Sequence, residues 1–364
     1  MTRAQTAEAA HPVEGGDRAG FLTRYASRNR RRDDSGSGPG SGPGGSRPRG
    51  SRWRGPKMWR RGWVLAVLSL LLGLAFILHS EVPNSIGNGG SLWETFLPWG
   101  GLLIIPLLGL ALLRRAPVAL IALLLPTLVW VNLFGGSLDD KSGSGGDLTV
   151  LTHNVNADNQ DPAGTARSLA HSGAAVVALE EVTGQQAGAY REGLASSHPH
   201  HKLMGTVGLW SKYPMKDVRS VDIKMGWPRA MRATVETPKG EVAVYVAHLP
   251  SVRVQFRSGF TAGKRDGSAQ ALGDAIERDK ARRVVLLGDL NGTMNDRALA
   301  PITSQMRSAQ GAAGSGFGFS WPASFPMARI DQIMVRGASP VSAWSLPSTG
   351  SDHLPIAARV KLSG

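Results

Sequence analysis

The sequence predicts an α/β sandwich preceded by three transmembrane helices. Three observations predict it. Residues 148–364 alternate short apolar runs with helical stretches, three long uncharged apolar segments lie between Gly62 and Phe134, and everything ahead of those is polar and low in complexity.

Residues 1–57 are rich in Gly, Ser, Pro and Arg, with the run SGSGPGSGPGGSRPRGSRWRG. Such a stretch buries too little apolar surface to offset its ordering entropy and reads as a disordered basic tail. The run Arg28, Arg30, Arg31, Arg32 offers charge to anionic lipid or a partner; a solvated tail is the simpler reading. The chain of 364 residues carries a formal net charge of +14 and no cysteine. Disulfide staples and thiolate metal sites are therefore excluded. Residues 1–61 hold fourteen Lys/Arg against five Asp/Glu, whereas residues 147–364 hold twenty-four against eighteen. Most of the basic excess thus precedes the first apolar segment, which is a topology signal before it is a nucleic-acid footprint.

The three segments are Gly62–Leu78, Phe96–Leu113 and Ala116–Phe134, within a transmembrane region assigned to residues 58–136. Each is near the length needed to cross about 30 Å of hydrocarbon. Pro98, Pro106 and Pro126 would break soluble helices but are tolerated where neighbours satisfy the backbone. Trp59, Trp63, Trp93, Trp99 and Trp130 lie near segment ends, as an interfacial belt would place them. Lys57, Arg60 and Arg61 precede the first segment and Arg114 and Arg115 follow the second, whereas the loop 79–95 carries Glu81 and Glu94 and no Lys or Arg. The positive-inside rule then predicts a multi-pass cell-membrane protein with a cytoplasmic N-terminus and everything after Phe134 extracytoplasmic. No small-x-small cleavage pattern follows the first segment, so an uncleaved anchor is expected.

Gly135–Asp147, GGSLDDKSGSGGD, reads as a flexible connection, with the linker proper at 137–147. Thirteen such residues reach about 20 Å by random-coil scaling, which holds the next domain close to the outer leaflet. In that domain LTVLTHN, AAVVAL, TVGLWS, EVAVYVAHL and RRVVLLGDL read as strands, and residues 162–172 and 266–279 as helices outside the sheets.

Polar residues recur where these strands end. Asn154 and Asn156 follow the first and share a side by the two-residue period, Glu180 and Glu181 follow the second, and His248 follows a later one. Asp289 and Asn291 close GDLN, and Asp331, Gln332 and Ser351-Asp352-His353 come near the C-terminus. Carboxylates and amides without cysteine suit a hard cation such as Mg²⁺ or Mn²⁺, and the histidines and acids supply proton transfer for hydrolysis. Each signal is weak alone, since Asp, Asn and Gly also make turns and a Glu after a strand is usually solvated.

The order Asn154, Glu181, His248, Gly288-Asp289-x-Asn291, Asp331, Ser351-Asp352-His353 resembles the endonuclease/exonuclease/phosphatase superfamily over residues 148–364, including GLWSKYP at 208–214. That resemblance implies a four-layered αββα sandwich, DNase I-like, that cuts phosphoester bonds with a divalent metal. Three spans ahead of such a domain look like the VanJ-type membrane proteins linked to glycopeptide resistance in actinobacteria. The likeness implies metal ligation by Glu181 with Asn154 and Asp352, and substrate contact by Asn156. It implies catalytic roles for His248 on a phosphate oxygen or leaving group, Asp289 on the attacking water and Asn291 on the transition state. His353 is expected on the phosphate, oriented by Asp331. Glu180 departs from the Gln of many relatives and adds a charge, Asn156 replaces an Asp, and Gln332 follows Asp331 where His or Tyr is common.

Other features carry less. His198, His200 and His201 read as solvent-exposed in a loop rather than a zinc site, and His153 as a packing residue facing away from Asn154. Arg278, Lys280, Arg282 and Arg283 suit a helix end, with a nucleic-acid patch as the alternative. Phe317, Phe319, Trp321 and Phe325 lie in GSGFGFSWPASFPM at 314–327, which reads either as a loop touching lipid or as core packing. The expected activity is hydrolysis of a phosphoester or pyrophosphate on a membrane-borne substrate such as a polyprenyl cell-wall carrier. An anchored extracellular nuclease and a non-catalytic binding module are the rivals.

Overall fold

The computed structural model describes residues 62–84, 89–251 and 262–362. The expected basic tail, its arginine run, Lys57, Trp59, Arg60 and Arg61 lie outside them. All described residues belong to the second of two compact units, Arg52–Gly364.

The helical layer comes first: α1 (Trp63–Ile77), α2 (Gly89–Phe96), a 3₁₀ stretch Leu97–Leu103, α3 (Ile104–Leu113), α4 (Pro117–Ala122) and α5 (Leu124–Phe134). Two continuous runs, Gly89–Leu113 and Pro117–Ser137, are long and apolar enough to cross a membrane. The third expected span is not borne out among the described residues. At 15 residues α1 is about 23 Å long, short of about 30 Å of hydrocarbon. The second run begins at Gly89 rather than Phe96 because Asn84 Oδ1 accepts from Ser91 N (2.8 Å) and starts the helix early. The loop 79–95 is correspondingly shorter, and Glu94 is a buried helical residue instead of an exposed loop acid. The tryptophans near the segment ends have local partners. Trp93, Trp99 and Trp130 donate to the carbonyls of Ala75, Met327 and Pro98, while Trp63 is exposed.

The rest is a two-sheet sandwich. Its strands are β1 (Leu148–Asn154), β2 (Val176–Glu180), β3 (His200–Met204), β4 (Val207–Ser211), β5 (Met215–Ser220), β6 (Ala230–Thr237), β7 (Gly240–Ala247), β8 (Val284–Asp289), β9 (Arg307–Ser308), β10 (Asp331–Arg336), β11 (Ser339–Ser345) and β12 (Ile356–Lys361). One sheet runs β11-β12-β1-β2-β4-β3 and the other β5-β6-β7-β8-β10-β9. Helices α6 (Pro162–Ala170) and α7 (Ala187–Ala195) cover the first sheet, and α8 (Ala262–Glu277) covers the second. The four αββα layers follow from strands that are apolar on both faces. In β8, Val285 and Leu287 enter the core between the sheets, while Val284 and Leu286 pack towards α8 with Leu272 and Ile276.

The stretch read as a flexible linker is tied to the domain. Lys141 N donates to Gly314 O (3.3 Å), Gly143 N to Val341 O (2.7 Å) and Asp147 N to Val360 O (2.8 Å). Its backbone donors find carbonyls of Gly314, β11 and β12, so free-coil reach does not set the distance between helices and domain. Nor are the histidines at 198–201 a solvated loop. His198 is buried, with its ring nitrogens at Ala174 O (3.1 Å) and Ser197 Oγ (2.9 Å), and His200 and His201 open β3.

Gly288 sits at the end of β8 with φ +148°, where an added Cβ would run into the carbonyl oxygen of Ala247 on β7. The close approach of β7 and β8 therefore requires glycine there. Gly288→Ala is expected to cost at least about 2 kcal/mol in denaturant unfolding. Gly173→Ala, also at positive φ but facing open space, is expected to cost only about 1 kcal/mol. Equal losses would show that backbone strain, not the β7–β8 contact, sets the cost.

Candidate active site

Side-chain alternation delivers polar groups to one end of the space between the sheets. Val150 of β1 faces that space, so Thr152 and Asn154 follow it; Val176 and Ala178 of β2 lead to Glu180. In the opposite sheet Val242, Val244 and Val246 lead to His248, and Val285 and Leu287 lead to Asp289. β10 runs antiparallel to β8 and pairs Asp331 with Asp289, so its N-terminal residue arrives at the same end. Asn154 Nδ2 donates to Asp289 Oδ2 (3.0 Å), a hydrogen bond from one sheet to the other.

Asp289 is the hub. Its Oδ1 accepts from Asn291 N (2.9 Å) and its Oδ2 from Asn291 Nδ2 (3.2 Å). The Nε2 atoms of His248 and His353 lie 3.7 and 3.9 Å from Oδ2. His353 Nδ1 is 2.8 Å from Asp331 Oδ2, which also accepts from Ser320 Oγ (2.6 Å). Ser351 Oγ donates to Asn154 O (2.7 Å) and accepts from His353 N (3.1 Å), which pins the 351–353 turn to β1.

Glu181 reaches the cluster by a different route. One residue past Glu180, strand alternation would send it to the outer face. Instead its φ is +61°, and the turned backbone brings Oε1 to 3.6 Å from His248 Nε2 while Oε2 accepts from Ala157 N (3.0 Å). Asn156 and Asn291 also have positive φ. A left-handed glutamate costs about 1–2 kcal/mol, so its neighbours must hold it there.

Burial and charge separate the protonation states. Burial pushes the Glu180 carboxyl well above the usual range, leaving it neutral, with Oε1 accepting from Thr152 Oγ1 (2.8 Å). Burial, with Arg229 and His353, pushes His248 well below its ordinary value and keeps that imidazole neutral. For His353 burial works against the proton, but the charge and hydrogen bond of Asp331, with Asp289, lift it to about 10. Asp289 is raised by burial, against the pull of the His353 charge. His153 is held down at about 3 by burial; it packs, with Nε2 2.9 Å from Thr349 Oγ1.

Asn154, Glu181, His248, Asp289, Asn291, Asp331 and His353 thus come together, and two expected residues do not. Asn156 leaves the strand period, and its Oδ1 accepts from Asp158 N (2.9 Å) to close a turn, so it does not share the side of Asn154. Asp352 is exposed, with Oδ2 taking the indole N–H of Trp321 (3.4 Å). Glu180 adds no charge beside Glu181, because burial keeps it protonated. Gln332 faces away from the cluster and donates to Gly292 O (3.3 Å) and Arg329 O (2.8 Å).

Sequence reasoning misses three residues. Arg229 stands close enough for its charge to act on Glu181, Asp289 and His248, and its Nε is buried without a partner. Ser320 holds Asp331. Arg265, fully buried, donates to Asn291 O (3.0 Å), Asp296 (2.5 Å) and Ser91 Oγ (3.0 Å), linking the catalytic turn to α2. Nothing in the local sequence distinguishes these residues from surface Arg and Ser.

The donor chemistry fits a divalent cation: the cluster is rich in carboxylate and amide oxygens, with the Arg229 guanidinium at its side. Asp289, Asp331 and His353 offer ligand atoms within 4.8 Å of one another. Asp331 Oδ2 is already engaged by His353 Nδ1 and Ser320, which makes that trio a hydrogen-bonded relay. Glu181, partly open to solvent, is the better carboxylate for an exchangeable ion.

The model of the Endonuclease/Exonuclease/phosphatase family matches residues 151–353, from β1 to His353. A humanised D. rerio TDP2 variant superimposes with a TM-score of 0.50 at 17% identity, covering 58% of this chain and 98% of its own. Mannosyl-6-phosphatase Bt3783 of Bacteroides thetaiotaomicron gives 0.49 at 15% identity, covering 58% and 99%. Staphylococcus aureus beta toxin, in a mutant with bound magnesium ions, gives 0.46 at 16% identity, covering 58% and 99%. At 17% identity the likeness to the TDP2 variant shows the fold alone. No curated protein matches the chain.

Glu180→Gln tests the protonation assignment. A carboxyl whose folded pKa is raised costs stability as pH climbs above its unfolded value near 4.5. The variant is therefore expected to unfold at a higher temperature than the parent, by a margin that widens from pH 5 to pH 8. A margin independent of pH would contradict a protonated Glu180.

Proposed function

The chain belongs to the Endonuclease/Exonuclease/phosphatase family, whose members are metal-dependent hydrolases of phosphoesters, and we propose that it is a membrane-anchored member acting outside the membrane on a lipid-linked phosphate or pyrophosphate. A polyprenyl cell-wall carrier fits that class, as does kinship with VanJ-type resistance proteins. The observation that carries this reading is the path of residues 317–331. Phe319 stacks on Trp99 (5.7 Å between centroids) and Phe317 lies against Trp130 (6.5 Å) and Phe134 (6.1 Å) of the helical layer. The same segment then supplies Ser320 and Asp331 to the catalytic cluster. A helical layer with Leu102, Ile105, Leu113 and Leu128 exposed is thereby fastened within a few residues of His353. Such a surface favours lipid contact.

Glu181 and Asn154 would hold Mg²⁺ or Mn²⁺; bound, the cation would supply positive charge to the phosphoryl oxygens. The remaining roles belong to the chain. Asp289, raised by burial and fixed by Asn154 and Asn291, takes the proton of the attacking water. His353, kept protonated through Asp331, donates to a phosphoryl oxygen as charge builds on it. Asn291, expected on the transition state, instead positions Asp289, since its amide donates both to Asp289 Oδ2 and to Leu249 O (2.9 Å). His248, neutral and buried, orients the leaving group or a phosphate oxygen. Arg229, with no carboxylate bonded to it among the described residues, is placed to clamp phosphate.

Phosphate release by the full chain in detergent with Mg²⁺, from polyprenyl pyrophosphate and from DNA in parallel, tests the reading. Release from the lipid is expected to fall at least about a thousandfold in Glu181→Ala and His353→Ala. Arg229→Met is expected to raise KM about tenfold with a smaller change in kcat. Cleavage of DNA alone would make the chain an anchored nuclease, and no turnover of either would favour a binding module.

A further inference from the structure

A cleft between the helical layer and the sandwich has a charged end and a greasy end. The charged end is a chamber of about 320 Å³ lined by Lys141, Arg329, Asn132, Asn295, Thr95 and Thr293. Next to it lies an apolar groove of about 400 Å³ lined by Trp99, Leu102, Ile105 and Trp130, and the two share Pro98, Phe317 and Phe319 in their walls. Leu102 and Ile105 are 54% and 65% exposed, so the groove opens on the apolar outside of the helices.

The chamber has cations without anions. Arg329 Nη1 donates to Phe317 O (3.2 Å), but its Nε is sealed from solvent with no partner. Lys141 Nζ donates to Gly311 O (2.7 Å). Among the described residues neither pairs with a carboxylate, and burial alone, with no carboxylate contribution, lowers Arg329 to about 10. Holding a cation in such a place is costly unless an anion arrives. None of Asn154, Glu181, His248, Asp289 or His353 lines either part of the cleft.

We propose that this cleft is a second lipid site, distinct from the catalytic cluster, that takes a lipid phosphate. Arg329 and Lys141 bind the headgroup phosphate, and the chain lies along Trp99, Leu102 and Ile105. The amide and hydroxyl groups of Asn132, Asn295, Thr95 and Thr293 complete a polar headgroup pocket, and guanidinium and ammonium donors beside an apolar surface suit a lipid phosphate. The bound lipid would join helices to domain at the segment that supplies Ser320 and Asp331. The site stands whatever the catalytic cluster hydrolyses.

The test is a titration of the full chain in neutral detergent micelles, read by the unfolding temperature. Phosphatidylglycerol and polyprenyl monophosphate are added separately, with diacylglycerol as the phosphate-free control. Saturable stabilisation by either phosphate lipid, absent with diacylglycerol, is expected, and which of the two acts identifies the source as bilayer or substrate pool. Arg329→Gln is expected to weaken apparent affinity about tenfold or more, and Lys141→Gln several-fold, with Glu181→Ala binding as the parent does. Lys141 is only half-buried, so its variant keeps the test valid if Arg329→Gln fails to fold. Equal effects of all three lipids, or binding lost in Glu181→Ala and kept in Lys141→Gln, would overturn the proposal.

Discussion

The hydrogen bond from Asn154 to Asp289 ties together the two sheets at the end where the chemistry gathers. Elsewhere the sheets meet through apolar contact, which tolerates sliding; here the contact is directional. Because Asp289 also takes two hydrogen bonds from Asn291, its carboxylate is fixed in position and orientation. The imidazoles of His248 and His353 then approach it from two sides, each in a different protonation state. His353 is protonated because Asp331 stands behind it, and His248 is neutral because it is buried, with Arg229 and His353 near it. One fixed carboxylate with a neutral and a charged imidazole beside it would, on the proposed reading, provide a base, a donor and an orienting group within one buried cluster.

The constraint extends outward along two paths. Asn291 is held from behind by Arg265, whose guanidinium also bonds Ser91 of α2. Asp331 is held by Ser320, whose neighbour Phe319 stacks on Trp99. Both residues that orient the reacting groups are therefore fastened to the apolar helices. The helices do more than tether the domain: they supply part of the scaffold on which the catalytic turns rest. A chain cut free of them would lose those supports.

The two-residue period makes much of the cluster legible in the sequence. VVLLGDL and EVAVYVAHL alternate between an inner and an outer face, so Asp289 and His248 arrive where Val285 and Val246 already point. The same rule explains where sequence reasoning fails. Asn156 lies beyond the end of β1 at positive φ, where the period no longer applies, and its amide closes a turn. Glu181 reaches the cluster through a left-handed backbone that no alternation encodes, and its place follows from family likeness. Glu180 reads as an added charge because burial is invisible in a dipeptide. The linker reads as free because Gly and Ser are flexible, yet its N–H groups meet carbonyls of the sandwich. Arg229 and Arg265 give no signal, since an arginine's partners come from distant segments.

On the proposed reading labour is divided within the cluster: Glu181 with Asn154 would hold the metal, and the Asp331–His353 pair would handle the proton. Crystals of the full chain soaked in Mn²⁺ and measured for anomalous scattering test this division most directly. The anomalous peak is expected against the Glu181 carboxylate, with His353 Nδ1 still bonded to Asp331. A peak bridging Asp289, Asp331 and His353, with that hydrogen bond broken, would contradict it.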